Sequence, residues 1–257
     1  MAKGFCDLYL ILLSLSIGVA VVVAAMAEDD DIESRKDRDK LIAKKEEWAR
    51  EGRLLTGLHA DPDRARLPPG QRMVKDWPVL DLGVTPRGDL DKWRLQIDGL
   101  VENPVIWQWA DFMAQPQVRI ASDIHCVTGW SRYDNAWDGV SAAHILALAR
   151  PAAEARHVVF HSRDGYTTNV RLDRFAGDDV LIAHSWEGKP LASEHGGPAR
   201  VVMPRWYFWK SAKWVRRIEF VAEDRPGYWE VRGYHNEGDP WREERYGDVF
   251  DALDREL

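Results

Sequence analysis

Thirteen tryptophans in 257 residues limit how this chain can fold. Indole rings need large buried pockets and partners for their N–H groups, so the chain must build a sizeable hydrophobic core. Apolar residues make up 45% of the sequence and charged residues 30%, a balance typical of globular proteins. The formal net charge of −7 argues against a nucleic-acid partner, because nucleic-acid binders present a basic surface.

The chain has two cysteines, which excludes a disulfide-rich scaffold and any zinc or iron–sulfur site built from four cysteines. Cys6 belongs to an N-terminal apolar region and Cys126 to the middle of the globular part, so they do not form a pair. A lone cysteine is usually a small buried hydrophobic residue. Cys126, however, lies where an extended segment gives way to a polar, glycine-containing loop, which is typical of reactive or metal-bound cysteines.

The segment Leu8–Met26 has no charged residue and is long enough to span a bilayer as a helix. Basic residues follow it between Arg35 and Lys45, which favours a cytoplasmic location for everything after it. We therefore expect residues 1–27 to anchor a cytoplasmic body in the membrane. Two alternatives stay open: Ala25-Met26-Ala27 resembles a signal-peptide cleavage site, which would export the body to the periplasm, or an upstream start codon appends non-native residues.

Residues 28–66 are strongly charged with few apolar positions, which predicts a solvated helical linker. Leu67-Pro68-Pro69-Gly70 ends that pattern, and the remaining domain covers residues 67–257. Alternation predicts a strand over Trp93–Leu100, and Ser141–Arg150 has the pattern of a helix capped by its serine. Further predicted strands cover residues 118–124, 156–162, 165–172, 199–203 and 215–222. The domain is therefore predicted to be α+β, mixed and dominated by strands.

The first stretch that carries chemistry is residues 123–140, around Cys126. Its thiolate would serve either as a nucleophile or as a ligand for a soft metal. A cysteine hydrolase needs a histidine and an orienting Asn or Asp. His125 is adjacent in sequence but points to the opposite face of a strand, so His161 or His195 would have to approach in space. The residues alone leave both roles of the thiolate open.

The second stretch combines cations with aromatic residues between Glu194 and Trp214. Its cationic and hydroxyl-bearing members are Arg200, Lys210, Ser211 and Lys213. Arginine and lysine beside exposed loop amides suit an oxyanion or a phosphate. A basic surface patch next to core tryptophans would account for the same residues, so the pattern alone does not decide between the two.

In their order, these motifs resemble the sulfite oxidase-like molybdopterin oxidoreductases, particularly their small haem-free bacterial members. Residues 125–131, His-Cys-Val-Thr-Gly-Trp-Ser, and residues 137–140, Trp-Asp-Gly-Val, resemble the molybdenum-binding segment. Residues 195–200 and 209–214 resemble the segments that bind the pterin phosphate. The resemblance covers about residues 67–247, because Pro69-Gly70-Gln71, residues 77–83 and the tail of residues 227–241 also match.

The resemblance implies a sulfite oxidase-like molybdopterin-binding domain that holds molybdenum with one molybdopterin. Cys126 matches the thiolate that ligates molybdenum, and Tyr166 matches a tyrosine that lines the substrate pocket. Arg132 is displaced from the substrate-binding arginine of sulfite oxidases proper, so the resemblance does not single out sulfite, and Arg132 stays a catalytic candidate. The residues that match cofactor-contacting positions are Ser162, His195, Arg200, Phe208, Trp209, Lys210, Ser211 and Lys213.

The activity implied by the resemblance is transfer of an oxygen atom and two electrons to or from a small oxyanion or sulfoxide-type substrate. The expected partners are that small molecule, a separate haem or flavin redox protein, and the membrane through the N-terminal segment. No haem is predicted, because the chain has no C-x-x-C-H motif. The alternatives are a hydrolase with Cys126 as nucleophile and a non-catalytic, membrane-tethered binding module.

Overall fold

The computed structural model describes residues 66–86 and 88–247. The expected anchor of residues 1–27 and nearly all of the expected linker of residues 28–66 lie outside the described residues. Within the described part, no helix has the length and apolar character needed to cross a membrane. Residues 66–81, 85–86 and 88–247 form the compact unit that contains the sheets.

The described chain is built mainly from strands. They are β1 Arg72–Met73, β2 Arg94–Gly99, β3 Val105–Gln108, β4 Val118–Cys126, β5 Trp130–Ser141, β6 His157–Ser162, β7 Thr167–Arg171, β8 Leu181–Trp186, β9 Lys189–Pro190, β10 Arg200–Val202 and β11 Val215–Val221. The helices are α1 Trp109–Met113, α2 Ala142–Ala149 and α3 Leu172–Phe175. Short 3₁₀ turns cover Ser193–His195, Phe208–Lys210, Glu230–Arg232 and Pro240–Arg242. These elements confirm the predicted mixed, strand-dominated class.

The strands form two sheets. In the first, β1, β5, β8 and β10 are neighbours in that order, with β4 paired to β5 and β9 paired to β8. In the second, the order is β3, β2, β11, β6 and β7. The pairs β1–β5 and β2–β11 are parallel, and the other pairings between these strands are antiparallel. The sheets therefore join segments that are distant in sequence.

The β4–β5 hairpin positions Cys126 at the last residue of β4. Across the hairpin, Cys126 lies opposite Trp130. Gly129 takes a left-handed φ of 89° in the turn, a conformation that glycine adopts without the steric cost of a Cβ. Its N–H donates to the Cys126 carbonyl at 3.0 Å and closes the turn. The turn thus fixes the end of β4 and the position of the Cys126 side chain.

Most of the described tryptophans are buried in the core, as their number predicts, although Trp241 is exposed. Trp93, Trp137 and Trp214 are among the largest fully buried side chains of the described residues. The indole N–H of Trp137 donates to Ser122 Oγ at 3.0 Å, and that of Trp214 donates to the Ser193 carbonyl at 2.8 Å. The Trp93 N–H has no hydrogen-bond partner among the described residues, so it is the close packing of the large rings that gives the domain a rigid centre.

Candidate functional site

Hydrogen bonds to the backbone carbonyl of Cys126 fix the turn that follows it. The Cys126 carbonyl accepts a hydrogen bond from the Gln71 side-chain amide at 3.0 Å, in addition to the bond from Gly129. The thiol itself is buried, and its Sγ lies 3.1 Å from the Thr128 hydroxyl oxygen. A buried thiol on a fixed turn has few accessible orientations. This restriction suits a metal ligand, which must meet its metal in one geometry.

His125 lies on the opposite face of the hairpin, as the alternation of a strand predicts. Its Nδ1 is 2.8 Å from the Ser131 hydroxyl, which in turn donates to Gln71 Oε1 at 3.2 Å. Burial lowers the pKa of His125 to about 4, with a smaller opposing effect from Asp123. The imidazole is therefore neutral at neutral pH. Through Ser131 it contacts Gln71, the residue that bonds to the Cys126 carbonyl.

Arg200 is a cation inside the protein, with 2% of its surface exposed. Its guanidinium donates to the carbonyls of His195 at 2.8 Å and Ser211 at 2.7 Å. It also lies 4.2 Å from the centre of the Phe208 ring. No carboxylate of the described residues forms an ion pair with it, and burial lowers its pKa to about 9. A buried cation balanced only by carbonyls and rings fits a site for an anionic group.

Two more predicted cofactor residues present polar atoms that the described protein does not satisfy. The Ser162 hydroxyl and His195 Nδ1 are both buried and have no hydrogen-bond partner among the described residues. The His195 ring stacks on the Trp77 indole, with 3.9 Å between ring centres and 4° between planes. Burial, helped by Arg200 and Lys213, lowers the pKa of His195 to about 4, so the ring is neutral. Buried polar atoms rarely lack partners, and these two fit a bound polar molecule.

The structure gives Lys210, predicted to contact the cofactor, a partner inside the protein. Its Nζ lies 2.6 Å from Glu230 Oε1, with both side chains buried, and donates to the Asn169 carbonyl at 2.8 Å. The same Glu230 oxygen accepts from the Trp209 indole at 2.9 Å and the Thr168 hydroxyl at 2.8 Å. Glu230 thus balances the lysine charge and ties the Phe208–Lys210 turn to β7.

We expect Glu230→Gln to lower the free energy of unfolding by about 3–5 kcal/mol, because Lys210 would keep a buried charge without its counter-ion. Urea unfolding followed by fluorescence measures this loss. Adding Lys210→Met to Glu230→Gln should restore part of the stability. The matched change at the exposed Glu223 should shift it by less than about 0.5 kcal/mol. Equal unfolding midpoints for Glu230→Gln and the parent would contradict this account of the pair.

Tyr166 also contacts the Phe208–Lys210 turn. Its hydroxyl donates to the Trp209 carbonyl at 2.7 Å, and burial raises its pKa well above the usual value, so the phenol keeps its proton. The predicted role of Tyr166 at the substrate pocket stays a prediction. What the structure adds is its connection, through Trp209, to a segment predicted to contact the cofactor.

Arg132 shares the face of the β4–β5 hairpin that carries Cys126. Its guanidinium donates to Asn135 Oδ1, lies 3.4 Å from Glu187 Oε1 and stands 4.6 Å from the centre of the Trp186 ring. The structure therefore places a positively charged group beside the cysteine hairpin, already paired with a carboxylate. Its predicted catalytic role stays a prediction.

The two remaining predicted contacts, Ser211 and Lys213, follow Arg200 in sequence. The Ser211 hydroxyl accepts from the Met203 N–H at 2.9 Å in the buried interior. Lys213 donates from Nζ to the Glu194 carbonyl at 2.6 Å and lies 5.0 Å from the Trp214 ring centre. Lys213 also lowers the pKa of His195, so its charge reaches the same site as Arg200.

Sequence reasoning assigned no role to several residues that hold the site. They are Gln71, Trp77, Tyr207, Glu230 and Arg245. Gln71, Trp77 and Glu230 lie in segments that resemble the family, so those motifs could have marked them. The contact of Arg245 joins residues far apart in sequence, with 118 positions between Val127 and Arg245, and no short sequence pattern predicts it.

Comparison with known proteins agrees with this geometry. The family model described as "Oxidoreductase molybdopterin binding domain" matches residues 82–229, more than half of the chain. The Bacillus subtilis (strain 168) protein named "Uncharacterized oxidoreductase YuiH" is 47% identical over 182 residues, which cover 70% of this chain and 92% of that protein.

More distant matches cover about half of each protein. The "Putative protein-methionine-sulfoxide reductase subunit YedZ1" of Azospira oryzae is 30% identical over 148 residues, 57% of this chain and 56% of that protein. The sulfane dehydrogenase SoxCD of Paracoccus pantotrophus, a crystal structure, has a TM-score of 0.50 at 23% identity over 54% of this chain and 40% of that chain, a likeness of fold. The resemblance found in the sequence is thereby confirmed: the chain belongs to the sulfite oxidase-like molybdopterin oxidoreductases and is an enzyme of that type.

Proposed function

We propose that this enzyme binds one molybdopterin-bound molybdenum through Cys126 and transfers an oxygen atom and two electrons to or from a small oxyanion or sulfoxide-type substrate. The observation that carries the proposal is Arg200, a buried cation without a carboxylate partner among the described residues. The phosphate of a pterin cofactor would supply the missing negative charge.

The other side chains of the site fit the same group. The Ser162 hydroxyl and His195 Nδ1, which have no hydrogen-bond partner in the described part of the chain, offer hydrogen bonds to a polar cofactor. The rings of Trp77 and Phe208 lie beside Arg200, with centres 5.3 and 4.2 Å from its guanidinium carbon. Together they form a cationic site with apolar walls, which strengthens charge pairing by excluding water.

Molybdenum supplies two-electron oxygen-atom chemistry when it is bound. The protein's own contributions follow from its contacts. Cys126 offers a thiolate on a fixed turn, Arg200 offsets the charge of the phosphate, and Tyr166 keeps its proton and stays bonded to the Trp209 carbonyl. The fixed positions of these groups reduce the reorganisation needed when substrate reacts.

The relative named as a putative methionine sulfoxide reductase subunit supports a sulfoxide as the first substrate class to test. Each turnover moves two electrons, so we also propose a separate haem or flavin protein as redox partner. The anchor over residues 1–27, the linker over residues 28–66 and the cytoplasmic catalytic domain over residues 67–257 complete the proposed arrangement.

The test is elemental and pterin analysis of protein purified from a host that makes molybdopterin. We expect about one molybdenum and one pterin per chain. Turnover should appear with at least one of methionine sulfoxide, an N-oxide or nitrate with a reduced dye, or with sulfite and an electron acceptor. Protein that contains neither molybdenum nor pterin would contradict the proposal. Stoichiometric thiol labelling of metal-free protein that also turns over an ester or amide would favour a cysteine hydrolase instead.

A further inference from the structure

The side chain of Arg245 reaches from the C-terminal segment into the Cys126 turn. Its Nη1 donates to the Val127 carbonyl, and its Nη2 donates to the Pro69 carbonyl at 3.1 Å. The guanidinium carbon lies 5.0 Å from the centre of the Tyr207 ring, and the residue is 8% exposed. One buried arginine therefore joins the first segment of the domain, the cysteine turn and the segment before Phe208.

Together with Gln71, Arg245 fixes two consecutive peptide groups of the turn. Gln71 donates to the carbonyl of Cys126, and Arg245 donates to the carbonyl of Val127. Because a peptide group is planar, fixing both carbonyls restricts the backbone on the C-terminal side of the cysteine. The direction in which the thiol leaves the main chain then depends on these two side chains.

The chain leaves room for this arginine at Gly70. Gly70 takes a left-handed φ of 66°, and a Cβ placed there would lie 2.7 Å from Arg245 Nη2. Any larger residue at position 70 would push against the guanidinium. The glycine and the arginine, 175 positions apart in the sequence, form one structural unit behind the cysteine turn.

We propose that Arg245 is a positioning residue for the molybdenum ligand Cys126. It holds the Val127 carbonyl, and through it the turn, so that the thiolate meets the metal in a single orientation. Its charge faces the Glu243 carboxylate, with 3.9 Å between Nη2 and Oε1, so the proposed role rests on the hydrogen bond to the turn. The inference rests on the proposed function, because it takes Cys126 as the metal ligand. Residues that support a metal ligand in this way typically affect metal affinity or activity by about 10- to 100-fold.

The main test compares Arg245→Gln with the parent holoenzyme. We expect kcat to fall by about 10- to 100-fold, with a much smaller change in the KM of the substrate. The electron paramagnetic resonance spectrum of the half-reduced molybdenum should shift, because the angle of the cysteine sulfur changes. Arg245→Lys keeps the charge and one hydrogen-bond donor, so its kcat and its spectrum should lie between those of the parent and of Arg245→Gln. A role in folding alone would lower the yield of folded protein without moving the spectrum of the folded fraction.

Arg156 provides the matched control. Its guanidinium also donates to two backbone carbonyls, those of Ala153 and Ala155, away from the cysteine turn. Arg156→Gln should leave the spectrum and kcat unchanged. If Arg245→Gln fails to fold, Gly70→Ala displaces the same guanidinium while keeping its charge, and we expect the same spectral shift.

A second readout needs no metal. Hydrogen exchange of the Gly129 amide, which bonds to the Cys126 carbonyl, should be faster in metal-free Arg245→Gln than in the metal-free parent. Unchanged spectra in both Arg245→Gln and Gly70→Ala, with Cys126→Ser still altering the spectrum, would overturn the role of Arg245 and leave the proposed function intact. An unchanged spectrum in Cys126→Ser would overturn the proposed function and this inference with it.

Discussion

Cys126→Ser should reduce turnover by more than about 100-fold, beyond the effect typical of residues that only support a metal ligand. The physical reason is that serine replaces a soft sulfur ligand with a harder and much less acidic oxygen, so it does not reproduce the thiolate that the metal binds. The same change should remove the sulfur-to-molybdenum charge-transfer absorption band. Absorption spectra and steady-state kinetics of the purified holoenzyme measure the two effects together.

The second cysteine of the chain supplies the control for this experiment. Cys6→Ser makes the same chemical change outside residues 82–229, which match the molybdopterin-binding family model, and it should leave rate and spectrum unchanged. Full activity and an unchanged absorption band in Cys126→Ser would show that another group ligates the metal. If the parent is active without molybdenum and Cys126→Ser abolishes that activity, the result would instead favour the hypothesis that Cys126 is a nucleophile.

Local patterns predicted the elements better than their partners. Alternation over Trp93–Leu100 predicted β2, in which Leu95 and Ile97 are buried and Arg94 is exposed. The serine cap of α2 is also observed, because Ser141 Oγ accepts from the His144 N–H at 3.2 Å. The parallel pairing of β2 with β11 was not predictable in this way. It depends on contacts such as Arg217 with Asp98, 119 positions apart, that no short window contains.

In the candidate site, too, local features were predictable and long-range contacts were not. The motif around Cys126 predicted that the thiol lies where a strand gives way to a polar, glycine-containing loop. The strand does end at Cys126, but a short turn replaces the loop and β5 begins at Trp130, because its pairing with β4 and β8 is not visible in the local pattern. Charge partners are not local. The sequence shows Arg200 and Lys210 as similar cations in one stretch. Among the described residues, however, Lys210 has a buried glutamate beside it and Arg200 has only carbonyls and aromatic rings. The tertiary structure thus distinguishes a lysine paired with a buried carboxylate from an arginine that has no carboxylate partner among the described residues.

Arg200→Met should weaken retention of the cofactor by about 2–5 kcal/mol, or roughly 30- to 5000-fold, if the cofactor phosphate is buried against this guanidinium. Methionine keeps much of the side-chain volume but removes the charge, so the phosphate would be buried without its partner. Molybdenum and pterin content, measured before and after extensive dialysis, give the result. Arg200→Lys should retain less cofactor than the parent and more than Arg200→Met. Lysine keeps the charge but lacks the planar guanidinium that reaches the carbonyls of His195 and Ser211.

A matched change at Arg205 separates this effect from a general loss of positive charge. Arg205 is an exposed arginine paired with Asp178 and Asp179, and Arg205→Met should retain the full complement of cofactor. In metal-free protein, Arg200 is a buried cation without a carboxylate among the described residues, so Arg200→Met should cost folding less than it costs retention. Equal losses of stability and of cofactor would mean that Arg200 serves the fold. Undiminished cofactor in a folded Arg200→Met would show that the phosphate binds elsewhere.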